Sequence, residues 1–452
     1  MFSLNRLWLT PKVLTLDKKK KNFLLFCSRL IVFGSRPRYS RSTKKEKLSF
    51  VLFSLNRTFA GMNRETASYI AEHAEDDVRQ LALKSVPEGV DLTFALEQIS
   101  GRQMALRKLP TWAATESIIY PPHLNMEQCS SEHTAQYKAQ LCRKLNSRQT
   151  MVDLTGGYGV DFSFMAREFE HAVYVEQQPL LCELATHNMP ILGIDNIDIK
   201  NADSIDYINS IEHVSLLFLD PARRDLNGRR TYALEDCSPD VVSLHRHLLT
   251  KCDYLLLKLS PMFDWREATK QLEHVCEVHI VSTKNECKEL LVLLSRQDAR
   301  RLRVVCANDD DVFEFFPETK PAERTFAEPA CEQFIYEPNS SVMKAGCFDE
   351  VAHRWGVAAI APHSHLFISE KNIPSFPGRK FQISAISSMN KQSLKTLFTE
   401  IRQANVSVRN FPMSAHELKQ KLHLKDGGDI YVFGTTTNKR QHILLVCRKN
   451  EE

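Results

Sequence analysis

The 452-residue chain contains no Cys-x-x-Cys pair, although twelve cysteines are scattered from Cys27 to Cys447. That scatter excludes a disulfide frame or a clustered zinc site and fits reduced thiols in a cytosolic protein. Long apolar runs are missing too. The nearest, Asn22 to Phe33, is short and contains Arg29, so no membrane span is expected. No internal repeat is present. His245 and His247, like His363 and His365, stand two apart, a spacing that on a helix points the rings in different directions. They read as ordinary surface or core residues, and no metal site is expected.

A consistent surplus of one charge is also absent. The formal net charge is +4, yet residues 1–61 carry fourteen Lys or Arg against Asp17 and Glu46, a balance of +12, which leaves −8 for the remainder. Global basicity therefore rests on a segment without helical or strand period. Two readings of 1–61 stand: upstream sequence outside the folded protein, or an acid-poor basic arm that targets the chain or binds RNA.

The hydrophobic pattern divides the rest. Residues 62–148 are expected to be helical, with Ile70, Ala74, Val78, Leu81 and Ala82 on one face and Tyr137, Leu141 and Leu145 on another. Over 149–297, strands near 151–155, 172–175, 197–200, 214–219 and 252–258 alternate with helices, which predicts a parallel sheet covered on both faces. Ser238-Pro239 is expected to open one helix as N-cap and first residue. Cys276 to Val281 and Leu290 to Leu294 read as a hairpin that finishes the sheet. A charged linker over 298–330 and two small α+β units, 331–378 and 379–452, follow.

The chemistry gathers at the strand ends. Residues 151–161 read Met-Val-Asp-Leu-Thr-Gly-Gly-Tyr-Gly-Val-Asp. Asp153 closes a strand, and Gly156, Gly157 and Gly159 let backbone amides approach a ligand. Glu176 ends the second strand 23 residues later, where a doubly wound sheet places a carboxylate on ribose hydroxyls. Asp203 follows the third strand, Asp220-Pro221-Ala222-Arg223 the fourth, and Lys258-Leu259-Ser260-Pro261 the fifth, so one crevice should collect them all. Phe162 stands where a pyrophosphate-binding turn needs its third glycine. An adenosyl ligand without pyrophosphate fits better than a dinucleotide.

With these motifs the chain resembles the class I S-adenosylmethionine-dependent methyltransferases, a Rossmann-like fold. Asp153 to Gly159 resembles their motif I, Glu176 their ribose-binding acid, Asp203 their adenine-side acid, and Asp220-Pro221 their motif IV. More narrowly, D-L-T-G-G-Y-G-V-D, L-D-P-A-R-R, K-L-S-P-M, N-E-C-K-E-L, V-R-N-F-P and L-K-D-G-G-D-I-Y resemble a bacterial group. Its members carry a ferredoxin-like unit and a THUMP-like domain after the methyltransferase core. The resemblance covers Met62 to the end and implies S-adenosylmethionine as cofactor, held by Asp153, Thr155, Gly156, Gly157, Gly159, Asp161, Glu176 and Asp203.

For the acceptor side it implies Asp220, Pro221, Arg223 and Lys258. In amino-methylating relatives the motif IV acid and a backbone oxygen accept the two N–H bonds of an exocyclic amine, and an aromatic stacks on the base. Here Ala222 and Arg223 replace the second proline and that aromatic. Arg223 can stack its guanidinium on a base or bind a phosphate. Lys258 is either a phosphate or substrate contact or a strand-end ion-pair partner. Ser260 stands where 5-methyluridine enzymes need a cysteine, which disfavours that chemistry. The expected activity is methyl transfer to a base nitrogen of structured RNA, tRNA or rRNA, in the cytoplasm. A non-catalytic RNA-binding protein and a small-molecule methyltransferase remain the alternatives.

Overall fold

The computed structural model describes residues 63–222, 234–297, 301–317 and 323–449. The basic leader and Arg223 lie outside the described residues. Helices Arg64–Glu72, Val78–Leu81, Leu92–Lys108, Pro110–Ala114, His123–Gln128 and Glu132–Arg143 come first. Asn63, Asp77, Asp91 and Ser131 each cap one of them by accepting an amide of its first turn.

The central sheet follows as β1 (Thr150–Asp153), β2 (His171–Glu176), β3 (Ile197–Asn201), β4 (Val214–Leu219) and β5 (Cys252–Leu259), all parallel. β6 (Val275–Thr283) and β7 (Glu286–Ser295) form the expected hairpin, turned at Lys284 and Asn285 with positive φ, and β7 pairs antiparallel with β5. Residues 298–330, expected as a linker, hold β8 (Arg303–Asn308) and β9 (Asp311–Phe315) instead. Val304 to Ala307 is a buried run, and the acidic stretch that suggested a linker is the β8–β9 turn, with Asp309 at φ +50°. The sheet order is β3-β2-β1-β4-β5-β7-β6-β8-β9.

Alternation along the strands sorts the two layers. Met151, Leu216 and Phe218 pack against Trp112, Met126 and Leu141 of the N-terminal helices. Their neighbours Val152, Leu217 and Leu219 pack on the opposite side with Val241 and Leu248. Helix Val241–Thr250 is capped by Asp240, whose carboxylate accepts from Val242 and Ser243, and not by Ser238. An Asp with two amide donors outcompetes the serine expected there, and Ser238 bridges to Ala222 instead.

The C-terminal strands β10 (Phe334–Pro338), β11 (Ala358–Ala359), β12 (Phe367–Ser369), β13 (Gly378–Ser388), β14 (Asn405–Arg409), β15 (Ile430–Thr436) and β16 (His442–Lys449) build one sheet, ordered β11-β12-β10-β13-β16-β15-β14. The two small units thus share a sheet across the β10–β13 pairing. Tyr336, Val342, Phe367 and Phe376 join the same apolar core as β4 and β5, and Trp265 Nε1 donates to Ala345 O at 3.2 Å.

One buried carboxylate fastens the shared sheet. Glu337 is 2% exposed, accepts from Arg379 Nε at 2.7 Å and lies 2.8 Å from the Arg409 guanidinium as an ion pair, so β10, β13 and β14 converge on it. Glu337→Ala leaves two partly solvated guanidinium groups without their carboxylate and should cost about 2 kcal/mol, as a charge-assisted hydrogen bond does. Denaturant unfolding checks this; a loss below about 1 kcal/mol means the clamp contributes little.

Candidate functional site

β1 delivers Asp153 to the carboxyl edge of the sheet, where the chain turns sharply. Thr155 N donates to Asp153 Oδ1 at 2.9 Å, and Gly156 N to Val175 O. A Cβ on Gly156 would lie 2.2 Å from the Tyr174 ring. Gly159, at φ +82°, opens helix Val160–Met165, and a Cβ there would meet Met189 Cε at 2.5 Å. The glycines are therefore demanded by the closeness of β2 and helix Pro179–Ile191 as well as by backbone angle.

Glu176, at the end of β2, receives Gly157 N at 2.9 Å and Gln178 N at 2.8 Å, one on each carboxylate oxygen. Each oxygen keeps a lone pair for a further donor. Asp203 caps the short helix Ser204–Ile208 by accepting from Ile205 N. Thr155 Oγ1 accepts from Asp220 N at 2.7 Å, which ties the β1 turn to the end of β4.

Behind these groups lies a buried chain of charge. Lys258 Nζ, at the end of β5, contacts Asp220 Oδ2 at 2.6 Å and Asp161 Oδ2 at 3.0 Å. Asp161 also accepts from Ser130 Oγ at 2.7 Å and lies 3.1 Å from Lys138 Nζ, which reaches Glu289 on β7. Lys138 is fully buried. Burial works against the charge on Lys258, but Asp161, Asp220 and Glu289 outweigh it and hold its pKa well above the lysine range. Burial likewise opposes ionisation of Asp161, and Lys138 and Lys258 overcome it to hold its pKa low. For Glu289 burial prevails over Lys138 and the pKa rises. Of the two sequence readings of Lys258, its contacts among the described residues are those of an ion-pair partner.

The crevice over these groups has a volume of about 810 Å³. Asp153, Thr155, Gly156, Gly157, Gly159, Asp161, Glu176, Asp203, Asp220, Pro221 and Lys258 all line it, so the structure brings together every candidate residue that it describes. Sequence reasoning missed the wall contributed by the N-terminal helices: Asn125, Glu127, Gln128, Cys129 and Ser130. It also missed Lys138 and Glu289, because a lysine beside an apolar helix face and a glutamate in a charged strand start read as solvated. Among the described residues, no group of His, Cys, Asp and Glu could hold a metal, no helix is long and apolar enough to cross a membrane, and no disulfide joins the cysteines.

The comparisons with known proteins agree with this frame. A ferredoxin-like domain model matches residues 334–377, and a THUMP domain-like model matches 378–449. A solved protein from Porphyromonas gingivalis W83, described as a candidate methyltransferase, is 32% identical with a TM-score of 0.74, over 90% of this chain and 99% of that one. A methyltransferase from Agrobacterium tumefaciens shares 14% identity over 36% of this chain and 61% of that one, TM-score 0.29. A candidate methyltransferase from Streptococcus mutans, solved with S-adenosylhomocysteine, shares 13% over 35% and 96%, TM-score 0.28. No curated protein matches the chain. The sheet order and strand-end crevice are those of a class I methyltransferase. The chain belongs to the S-adenosylmethionine-dependent methyltransferases of the bacterial group that carry C-terminal ferredoxin-like and THUMP-like domains.

Asp153 offers a test of the site's electrostatics. Burial, with Asp161 and Asp220 nearby, outweighs the Thr155 amide and Lys258 and pushes its pKa up to about 8. An unfolded Asp titrates near 4, so between about pH 4 and 8 the folded state holds the extra proton and stability falls as pH rises. Asp153→Asn keeps the acceptor for Thr155 N and should flatten that fall, read as denaturant unfolding at pH 5 and pH 8. An unchanged difference between the two pH values means Asp153 is not held neutral.

Proposed function

We propose that the chain binds S-adenosylmethionine over the β1 turn and transfers its methyl group to a nitrogen of a base in structured RNA. The residues fit such a cofactor. Glu176, fixed by two backbone amides, can accept from the ribose hydroxyls, and Asp203, which lines the same crevice, can accept from an adenine amine. Gly157 and Gly159 leave the turn open. The bound cofactor supplies an electrophilic methyl group on a cationic sulfonium, and the acidic lining suits that charge. The protein's task is then alignment and exclusion of water.

The observation that carries the acceptor half is Asp220. Its Oδ2 is held by Lys258, its backbone N–H by Thr155, and its side chain is 40% exposed at the crevice. A fixed carboxylate there can accept an N–H of the target amine and direct the nitrogen lone pair. The THUMP-like domain supports RNA as the substrate class. Lys391, Lys395, Lys421 and Lys425 are exposed on or beside two helices, Lys391–Phe398 and Ala415–Lys421, that share one apolar cluster on the sheet. They offer phosphate contacts. Arg223, Arg224, Arg229 and Arg230 are further basic candidates outside the described residues.

A second reading has its own support. Among the described residues, Glu127, Asp153, Asp161, Glu176, Asp203 and Asp220 line the crevice with Lys258 as their one lysine or arginine. That lining favours a small cationic amine as strongly as a base stripped of its phosphate.

Two variants and one comparison separate these outcomes. Glu176→Ala should weaken S-adenosylmethionine binding by about 1.5 to 3 kcal/mol, through loss of a charge-assisted hydrogen bond. Unchanged affinity in calorimetry counts against the cofactor pose. Asp220→Ala should abolish turnover while sparing that affinity, since its contacts matter for the acceptor. Nucleoside mass spectrometry of RNA from a deletion strain beside its parent identifies the product; identical profiles would leave the small-amine reading.

A further inference from the structure

We infer that Lys258 is a positioning residue for methyl transfer, and that the N-terminal helices hold it in place through Ser130, Lys138 and Asp161. The inference deepens the reading of Asp220 as acceptor-binding group and rests on it. Three observations carry it. Lys258 Nζ sits between two carboxylates at 2.6 Å and 3.0 Å, which fixes one oxygen of Asp220 and leaves Oδ1 without a partner among the described residues. Asp161 is anchored from behind by Ser130 and by Lys138, both on elements outside the methyltransferase sheet. Lys138 is in turn held by Glu289 on β7, between β5 and β6 in the sheet.

A lysine there does two things that a solvated strand-end lysine does not. It sets the rotamer of Asp220, so that only one oxygen faces an incoming amine, and it offsets the carboxylates that crowd this end of the sheet. Among the described residues, Asp220 meets Lys258 on β5 and the field of Asp153 on β1, while Asp161 on the following helix shares Lys258 with it and is backed by Lys138 and, beyond that, Glu289. Without Lys258, the carboxylates Asp161 and Asp220 stand beside the neutral Asp153, with Lys138 as the nearest cation among the described residues. Such a cluster takes up a proton more readily.

The test uses the full chain and two readouts. The first needs no acceptor: Lys258→Met, Asp220→Asn and the double variant are melted with S-adenosylhomocysteine present. If Lys258 holds Asp220, Asp220→Asn relieves part of the Lys258→Met loss, and the double variant melts no lower than Lys258→Met alone. Strictly additive losses overturn the pairing.

The second readout is methyl transfer from tritiated S-adenosylmethionine to total RNA of a strain lacking the protein. Lys258→Met should lower kcat at least about 30-fold while KM for the cofactor stays within about threefold. Its remaining activity should fall further on going from pH 8 to pH 6. Lys258→Arg, which keeps the charge, should recover most of the rate. Wild-type rate in Lys258→Met, or a loss that Lys258→Arg does not repair and that has no added pH dependence, overturns the positioning role. A wild-type protein that labels no RNA overturns RNA as substrate, and the melting cycle then decides the Lys258–Asp220 pairing separately.

Discussion

The architecture of this methyltransferase depends on a run of alternating charge, buried at Glu289, Lys138 and Asp161 and reaching the crevice through Lys258 and Asp220. Taking a lysine or carboxylate out of water costs several kcal/mol, and only close, well-made partners offset it. Each member therefore constrains the element that bears it. Helix Glu132–Arg143 must lie against β7, helix Val160–Met165 must present Asp161 inward, and β4 and β5 must end level with each other. The N-terminal helices are thus part of the catalytic frame. Their apolar residues cover one face of the sheet, and their polar residues complete the wall of the crevice.

The strand ends were legible in the sequence because an open parallel sheet imposes a simple rule: whatever follows each strand stands at the same edge. Asp153, Glu176, Asp203, Asp220 and Lys258 each close or follow a short apolar run, and the fold needed only to set those runs side by side. What lay behind the strand ends was not legible. Lys138 neighbours Tyr137 on an amphipathic helix, and periodicity alone assigns it to solvent; its burial follows from Asp161 and Glu289, which lie 23 and 151 residues further along the chain. Long-range charge pairing leaves no local period to read.

Two structural expectations failed for related reasons. The charged stretch from Gln297 onward suggested a linker, yet Val304 to Ala307 is a strand whose flanking charges sit at its ends and in its turn. Short strands bracketed by acids resemble loops when composition is averaged over a window. The helix start at Ser238-Pro239 was displaced by two residues because Asp240 supplies a stronger acceptor to the first-turn amides. The described C-terminal units also proved less separate than their small size implied. Pairing of β10 with β13 runs through five residue pairs, and the apolar core of the methyltransferase sheet extends into Val342 and Phe376. Removing the last domain would expose the edge of β10.

The distribution of charge then limits how a nucleic acid could be handled. Among the described residues, the crevice is lined by the acids Glu127, Asp161, Glu176, Asp203 and Asp220, by Asp153, which burial holds neutral, and by one paired lysine, a lining that disfavours phosphate. A base would have to enter alone, turned out of its helix, with the phosphates held by cations elsewhere. The exposed lysines near residues 391–425 are on the C-terminal sheet, and that sheet is joined to the methyltransferase core by shared apolar packing. Such a division of labour separates affinity from chemistry. On the proposed reading, backbone binding by the C-terminal layer would carry the salt dependence, while selection of the acceptor would rest on the hydrogen-bonding geometry of the Asp220 carboxylate. The same acidic lining that disfavours phosphate would favour a cationic methyl donor, so on the proposed reading one electrostatic choice would serve both ligands.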